Sequence, residues 1–124
     1  MTMFNQETPI YLQLRKHIEE RILSGILSDE EAIPSLRSMA RDYSLNPITV
    51  SNALSALVDE GVLYKKRGLG IFVAAGARQL IIKMRSKDFI SETLEPIIRS
   101  AQQLDIPKQQ IIELTDTIYG GNNE

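Results

Sequence analysis

Residues 33–51, IPSLRSMARDYSLNPITVS, contain two short helical patterns joined by a tight turn. The first begins at Ser35, whose hydroxyl can accept hydrogen bonds from the free amides of a first helical turn. The second begins at Asn46-Pro47, because asparagine is a preferred capping residue and proline at the first helical position has no backbone hydrogen bond to lose. Two helices joined in this way form the motif whose second helix commonly enters the DNA major groove. The stretch therefore predicts a helix-turn-helix and makes DNA binding the leading hypothesis.

The sequence on either side extends this motif. Apolar residues between positions 8 and 24 recur at the period of an amphipathic helix, and residues 26–33 are expected to form an acidic loop. Residues 62–65 and 71–74 are β-prone and flank a glycine-containing loop, which predicts a hairpin. Three helices followed by a hairpin predict a winged helix-turn-helix over residues 1–76, with Lys65-Lys66-Arg67 at the tip of the wing. The predicted fold class is mainly α with a small β-hairpin.

Residues 77–124 have a different pattern, which predicts a helical dimerisation module. Their apolar residues repeat at spacings of four and three, as in a helix that packs against another helix. Pro96 lies inside this pattern, so we expect a kink or a break near Glu92. Two helices with a wide apolar face cannot form a core alone, and we expect them to bury it on a second copy of the chain. Packing against their own winged domain is the alternative. The predicted dimer seam consists of Ile90, Leu94, Ile97, Ala101 and Leu104.

The composition excludes several other classes of protein. The chain has 124 residues, of which 43% are hydrophobic and 24% charged, as in an ordinary globular protein. It has no cysteine, which removes disulfides and thiolate zinc sites. No apolar run approaches the roughly 20 residues that cross a bilayer, and residues 1–5 lack the pattern of a signal peptide. We therefore expect a cytoplasmic protein that has no membrane partner.

The net charge of −2 is an objection to DNA binding, since affinity for DNA depends largely on neutralising phosphates. The distribution of the charges answers this objection. Acidic residues collect at positions 19–20, 29–31 and 59–60, whereas Lys65-Lys66-Arg67 is an uninterrupted basic run, and Arg37 and Arg41 share the first helix of the pair. The sequence thus predicts a locally basic face with modest affinity per protomer, which favours a dimer.

The sequence offers no catalytic or metal-binding constellation. His17 is the single histidine, so a metal site would need carboxylates alone. Gly68 and Gly70 lack the third glycine and the following helix of a nucleotide-binding loop. The carboxylates of residues 29–31 are expected to be solvated, because nothing near them in sequence supplies a nucleophile or an oxyanion donor. We therefore expect no enzyme activity, no cofactor and no metal.

Five motifs, collinear from residue 9 to residue 74, resemble those of the GntR-type bacterial transcription regulators and of their short YtrA-like branch. The resemblance implies an N-terminal winged helix-turn-helix and a C-terminal module that dimerises and, in some members, senses a small-molecule effector. In this branch the module is only a pair of helices. The motifs are Pro9-Ile10-Tyr11, Gly25-Ile26-Leu27, Ile33-Pro34-Ser35-Leu36-Arg37-Ser38-Met39-Ala40 (family L-P-S-x-R-x-L-A), Asn46-Pro47-Ile48-Thr49-Val50-Ser51 (family N-P-x-T-V) and Arg67-Gly68-Leu69-Gly70-Ile71-Phe72-Val73 (family G-x-G-x-F-V).

The resemblance also implies which residues contact DNA. They lie at the start of the second helix, on the third, recognition helix, and at the wing, where a glycine with basic neighbours would reach the minor groove or its edge. The alternative to DNA contact is that these residues are ordinary solvated polar residues on the protein surface. The predicted DNA-binding residues are Ser35, Arg37, Asn46, Thr49, Ser51, Asn52, Lys66, Arg67 and Gly68.

Two departures from the family pattern have consequences. Asp29-Glu30-Glu31 stands where the family usually has Pro-Gly, which affects the turn before the helix pair. Asn52 stands where many relatives carry an arginine in the recognition helix. Because arginine pairs best with guanine and asparagine with adenine, we expect an operator that depends less on guanine at that position.

Together these observations predict a homodimeric, sequence-specific transcriptional regulator, in particular a repressor, that binds a pseudo-palindromic double-stranded DNA operator. The alternative is a winged-helix module that binds a protein partner and no DNA, since a fold does not dictate its ligand.

Overall fold

The structure is a computed structural model that describes residue 4 and residues 8–120. The contacts within the chain divide it into two compact units, Met1–Met84 and Arg85–Glu124. The predicted domain boundary after residue 76 remains a prediction, whereas the packing of the chain changes after Met84. Within the described residues, no helix is both long enough and apolar enough to span a membrane.

The first unit has the predicted order of three helices and a hairpin. Helices α1 (Ile10–Leu23), α2 (Leu36–Asp42) and α3 (Pro47–Asp59) precede strands β1 (Leu63–Lys66) and β2 (Gly70–Val73). The strands pair antiparallel, with Leu63 opposite Val73 and Lys66 opposite Gly70. This arrangement confirms the winged helix-turn-helix that the sequence predicts.

One hydrophobic core joins these elements. The apolar stripe of α1, which includes Leu14 and Ile18, is buried with Val50 and Leu57 of α3. Leu63 joins this core from β1, since alternate residues of a strand face the same side. Each helix therefore buries one stripe, and the opposite face of α3 is left in solvent.

The expected acidic loop over residues 26–33 makes backbone contacts with β2 that the sequence did not predict. Glu30 N–H donates to the Val73 carbonyl over 2.8 Å, and Ile33 N–H donates to the Ile71 carbonyl over 2.9 Å. An isolated antiparallel bridge joins Ala32 to Phe72. The loop therefore lies beside β2 and is joined to it by one isolated bridge and these backbone bonds. So short a pairing has no alternating apolar pattern from which the sequence could predict it.

Helix α4 (Ala77–Phe89) begins inside the first unit. Ala77 and Ile81 are fully buried in its core, and Leu80 packs against that core. Arg78 Nε donates to the carbonyl of Leu23 at the end of α1 over 3.0 Å. The first turns of α4 are therefore part of the winged unit.

The second unit contains the irregularity that Pro96 predicts. Residues Ile90–Leu94 form one turn of π-helix, and α5 (Glu95–Gln103) and α6 (Lys108–Ile118) follow. Proline lacks the N–H of a regular helical bond, and its ring would clash with the carbonyl of the residue four positions earlier, Glu92. Glu95 N–H instead bonds to the Ile90 carbonyl, five positions earlier. The wider turn accommodates the proline at the position where a kink was expected.

An aromatic cluster joins α1 to the end of α2. His17 Nε2 lies 3.2 Å from the Tyr43 hydroxyl, and the Phe4 ring meets both rings edge to face. Burial is the main cause that lowers the pKa of His17 below its usual 6.5; the nearby Arg21 lowers it further, and Glu20 opposes the shift. The folded protein thus favours the neutral imidazole.

This shift predicts a pH dependence of stability. Because the unfolded chain binds the His17 proton more tightly than the folded chain does, stability is greatest above pH 6.5 and falls as the pH drops through the lowered pKa. Urea unfolding followed by circular dichroism at pH 7.5, 6.5 and 5.5 measures the effect. His17→Gln removes this titration and leaves the carboxylates in place, so wild type should lose more stability on acidification than the variant. Equal losses would contradict the assignment.

Candidate nucleic-acid interface

Helix α2 begins at the predicted serine cap. The Ser35 Oγ atom accepts a hydrogen bond from Ser38 N–H over 3.0 Å and donates to Ser38 Oγ over 3.1 Å. A serine cap satisfies one of the four amides that a helix leaves unbonded at its start. The side chain of Ser35 is thus occupied within the protein, although the residue itself is exposed.

Helix α3 begins at Asn46, whose Oδ1 atom accepts from Ile48 N–H over 2.8 Å. Pro47 occupies the first turn, as the sequence predicts. The cap fixes where the helix starts, and the buried stripe of the helix fixes its rotation. As a result Asn52 and Ser55 lie on the exposed face.

The predicted recognition-helix residues are not equally accessible. Asn46 and Asn52 are exposed, whereas Thr49 and Ser51 are half-buried. Because the Asn46 Oδ1 atom is occupied by the helix cap, Asn52 is the exposed asparagine whose side chain is more available to a ligand.

One exposed apolar residue of α3 was absent from the predicted contacts. Ile48 lies in the first turn and is 68% exposed. An aliphatic side chain at this place can contact the methyl group of thymine in a major groove. The sequence could have indicated this residue, because Ile48 lies on the polar side of the helical pattern, where an apolar side chain is expected to be exposed.

The two arginines of α2 differ in their surroundings. Arg41 Nε lies 3.2 Å from the Asp42 carboxylate. Arg37 is exposed, and its guanidinium has no hydrogen-bond or ion-pair partner within the described part of the chain. Of these two arginines, Arg37 is therefore the more available to an anionic ligand.

The wing carries the predicted basic run. Lys65, Lys66 and Arg67 are all exposed. Gly68 has φ +79°, a left-handed conformation that glycine adopts without strain, and Leu69 N–H closes the turn on the Lys66 carbonyl over 2.8 Å. The tip thus presents three cations, and the glycine beside them leaves room for the close approach of a ligand.

The second unit has its own exposed surface. Of the predicted seam, Ile90, Leu94, Ile97 and Leu104 are exposed, and Ala101 is half-buried. A groove of about 820 Å³ lies between α5 and α6. Its apolar wall includes Ile98, Ile106, Ile111 and Ile112, which the predicted seam omitted. Among the described residues there is no group of three or more histidine or acidic side chains that could hold a metal ion.

The fold and the exposed polar face of α3 define a winged helix-turn-helix DNA-binding protein, and the comparisons with known proteins specify its family. The profile described as "Bacterial regulatory proteins, gntR family" matches residues 10–73. The chain belongs to the GntR family.

Relatives and solved structures agree with this assignment. The HTH-type transcriptional repressor YtrA of Bacillus subtilis is 30% identical over 118 residues, which cover 92% of this chain and 90% of the repressor. A GntR-family transcriptional regulator from Bacteroides thetaiotaomicron has a TM-score of 0.75 at 34% identity, covering 89% of this chain and 96% of that one. The DNA-binding domain of AraR, solved in complex with operator ORX1, has a TM-score of 0.56 at 26% identity, covering 60% of this chain and 95% of that domain.

The cap of the recognition helix can be tested by stability. Asn46→Ala removes the bond to Ile48 N–H and should lower the free energy of unfolding by about 1 kcal/mol, measured by urea denaturation. Asn46→Asp keeps a side-chain acceptor at a helix N-terminus and should restore most of the loss. Asn52→Ala, on the exposed face of the same helix, is the matched control and should change stability by less than about 0.5 kcal/mol. A larger loss in Asn52→Ala than in Asn46→Ala would contradict the capping assignment.

Proposed function

We propose that this protein is a homodimeric transcriptional repressor that places two α3 helices in successive major grooves of a pseudo-palindromic operator. The observation that carries the proposal is the exposed, capped face of α3 with Asn52 on it, in a member of a family of DNA-binding regulators. The similarity to the YtrA repressor supports repression. Two-fold symmetry of the dimer predicts half-sites about one helical turn apart.

Each part of the interface has a proposed task. Arg37 reads a base edge, and the wing cations Lys66 and Arg67 bind phosphates or groove edges, which positions the domain on the duplex. Asn52 reads a base, and its amide pairs best with adenine. A selected operator with adenine at that position, and a preference that weakens in Asn52→Ala, supports this assignment.

The dimer is proposed from the apolar surface of the second unit. Ile97 and Leu104 are 60% and 73% exposed in the single chain, and the groove between α5 and α6 adds more apolar surface. Continuous apolar patches of this kind mark sites of association. A second copy covers the same patch by symmetry, since a two-fold interface uses one surface twice.

Repression would follow from occlusion of RNA polymerase by the bound dimer. An effector, where one acts, would change the angle between the two winged domains through the helical module or through the junction at residues 74–78. The rival function is binding of a protein partner by the α3 face. Binding to DNA should weaken steeply as the salt concentration rises, whereas binding to a protein should not.

The DNA-binding proposal predicts a specific loss. With a duplex selected by the wild-type protein from a random library, Arg37→Ala should weaken binding by about 1–3 kcal/mol in fluorescence anisotropy. Arg41→Ala is the matched control and should lose less, because Asp42 already partners that arginine. The slope of log affinity against log salt should be about −0.9 per phosphate contact. Equal effects of the two substitutions would remove Arg37 from the interface, and a flat salt dependence would favour the protein-binding rival.

The dimer proposal predicts that one charge in the seam dissociates the protein. Ile97→Glu should raise the dimer dissociation constant at least about tenfold in sedimentation equilibrium, because it buries an unpaired carboxylate in an apolar interface. Ile26→Glu, at a residue 58% exposed in the winged unit against 60% for Ile97, is the matched control and should stay dimeric. Circular dichroism should show both variants folded. A wild-type protein that is monomeric at high micromolar concentration would refute the dimer.

A further inference from the structure

The acidic run at residues 29–31 is occupied by contacts within the winged unit. Asp29 Oδ2 accepts from Gly76 N–H over 3.0 Å, just before α4. Glu31 Oε1 accepts from Ser28 N–H over 2.8 Å. The Glu30 carboxylate accepts a hydrogen bond from the Tyr64 hydroxyl on strand β1. All three carboxylates are exposed, as a solvated loop predicts, and each also accepts a hydrogen bond within the winged unit.

Glu30 occupies an unusual backbone conformation for a residue with a side chain. Its φ is +66°, in the left-handed region that glycine adopts most readily. The bonds from Glu30 N–H to the Val73 carbonyl and from Val73 N–H to the Glu31 carbonyl hold it there, over 2.8 Å and 2.9 Å. A glycine would fit this backbone with less strain but would leave Tyr64 without its acceptor. The Glu30 side chain is therefore needed for the hydrogen bond to Tyr64 and not for the backbone conformation.

Tyr64 begins a row of side chains along the outer face of the wing. It stands opposite Phe72 in the register, and the two rings stack at 5.9 Å between centroids with 27° between their planes. Lys66 Nζ lies 4.8 Å from the centroid of Phe72. The hydrogen bond to Glu30 raises the pKa of the Tyr64 phenol above its usual 10. Three segments thus contribute to one row that ends in a cation next to the wing tip.

The other two cations of the wing lack this support. Lys65 stands opposite Ile71 on the other face of the hairpin, and Arg67 lies in the turn beyond β1. Within the described residues, no aromatic ring lies against either of them. A lysine already held over a ring loses less side-chain entropy when it binds a phosphate than one that is free to rotate. Among the described residues, Lys66 is the member of the basic run whose ammonium lies over an aromatic ring.

We propose that Phe72 and Tyr64, the latter anchored by Glu30, are positioning residues that hold the Lys66 ammonium in place for a DNA phosphate. This inference rests on the proposed function. It assigns to Glu30, in the acidic run beside the wing, the task of anchoring the tyrosine ring.

A double-mutant cycle on the full chain tests the proposal. The affinity for the duplex selected by wild type is measured for wild type, Lys66→Ala, Phe72→Leu and the double variant at one salt concentration. Phe72→Leu should weaken binding about two- to fivefold when Lys66 is present, which corresponds to the strength of an exposed cation–π contact. In the Lys66→Ala background it should have no effect, because the ring then has no ammonium to hold.

Two further variants separate positioning from folding of the wing. The parallel cycle with Lys65→Ala is the control, and there the effect of Phe72→Leu should be unchanged. Tyr64→Phe keeps the ring and removes only the hydroxyl that Glu30 binds, so it gives a second cycle with Lys66→Ala should Phe72→Leu fail to fold. Tyr64→Phe should weaken DNA binding only when Lys66 is present.

The outcomes distinguish this inference from the function on which it rests. Equal losses from Phe72→Leu with and without Lys66, or no loss in either background, would overturn the positioning of Lys66 while wild-type binding and the Arg37→Ala effect remained. A wild-type protein that selects no duplex would overturn DNA binding itself and this inference with it.

Discussion

The burial of one stripe of α3 against α1 is the packing constraint on which the rest of the structure depends. Val50 and Leu57 have no solvent exposure, so the helix cannot rotate about its axis without moving an apolar side chain into water. The cap at Asn46 fixes where the same helix starts. With rotation and start both set, the exposed position of Asn52 follows. Helix α3 thus presents its polar face because its other face is committed to the core.

The wing is held by the same kind of constraint. Leu63 and Val73 form a cross-strand pair in the core, which turns Tyr64 and Phe72 to the outer face. The loop at residues 30–33 makes backbone bonds to β2 and brings Glu30 to Tyr64. The Glu30 carboxylate thus has a structural role in the wing of a protein whose net charge is −2.

The winged unit and the helical module achieve stability by different means. The winged unit buries a continuous core to which α1, α3, β1, β2 and the start of α4 contribute. Residues 85–120 contain no buried residue in the single chain, and most of their apolar side chains are exposed. A helical pair without a core gains stability by covering its apolar face, which is the physical basis of the proposed dimer.

The sequence by itself determined the features that depend on neighbouring residues. The caps at Ser35 and Asn46, the helical periods, the hairpin and the irregularity before Pro96 all follow from local backbone chemistry. The tertiary structure decided what depends on residues far apart in the chain. The pairing of Glu30 with Tyr64 spans 34 residues and has no periodic signal. The half-burial of Thr49 and Ser51 and the entry of Ala77 and Ile81 into the winged core likewise depend on which elements pack together. A local sequence pattern specifies a helix or strand and its apolar face. Only the tertiary packing specifies which residues that face contacts.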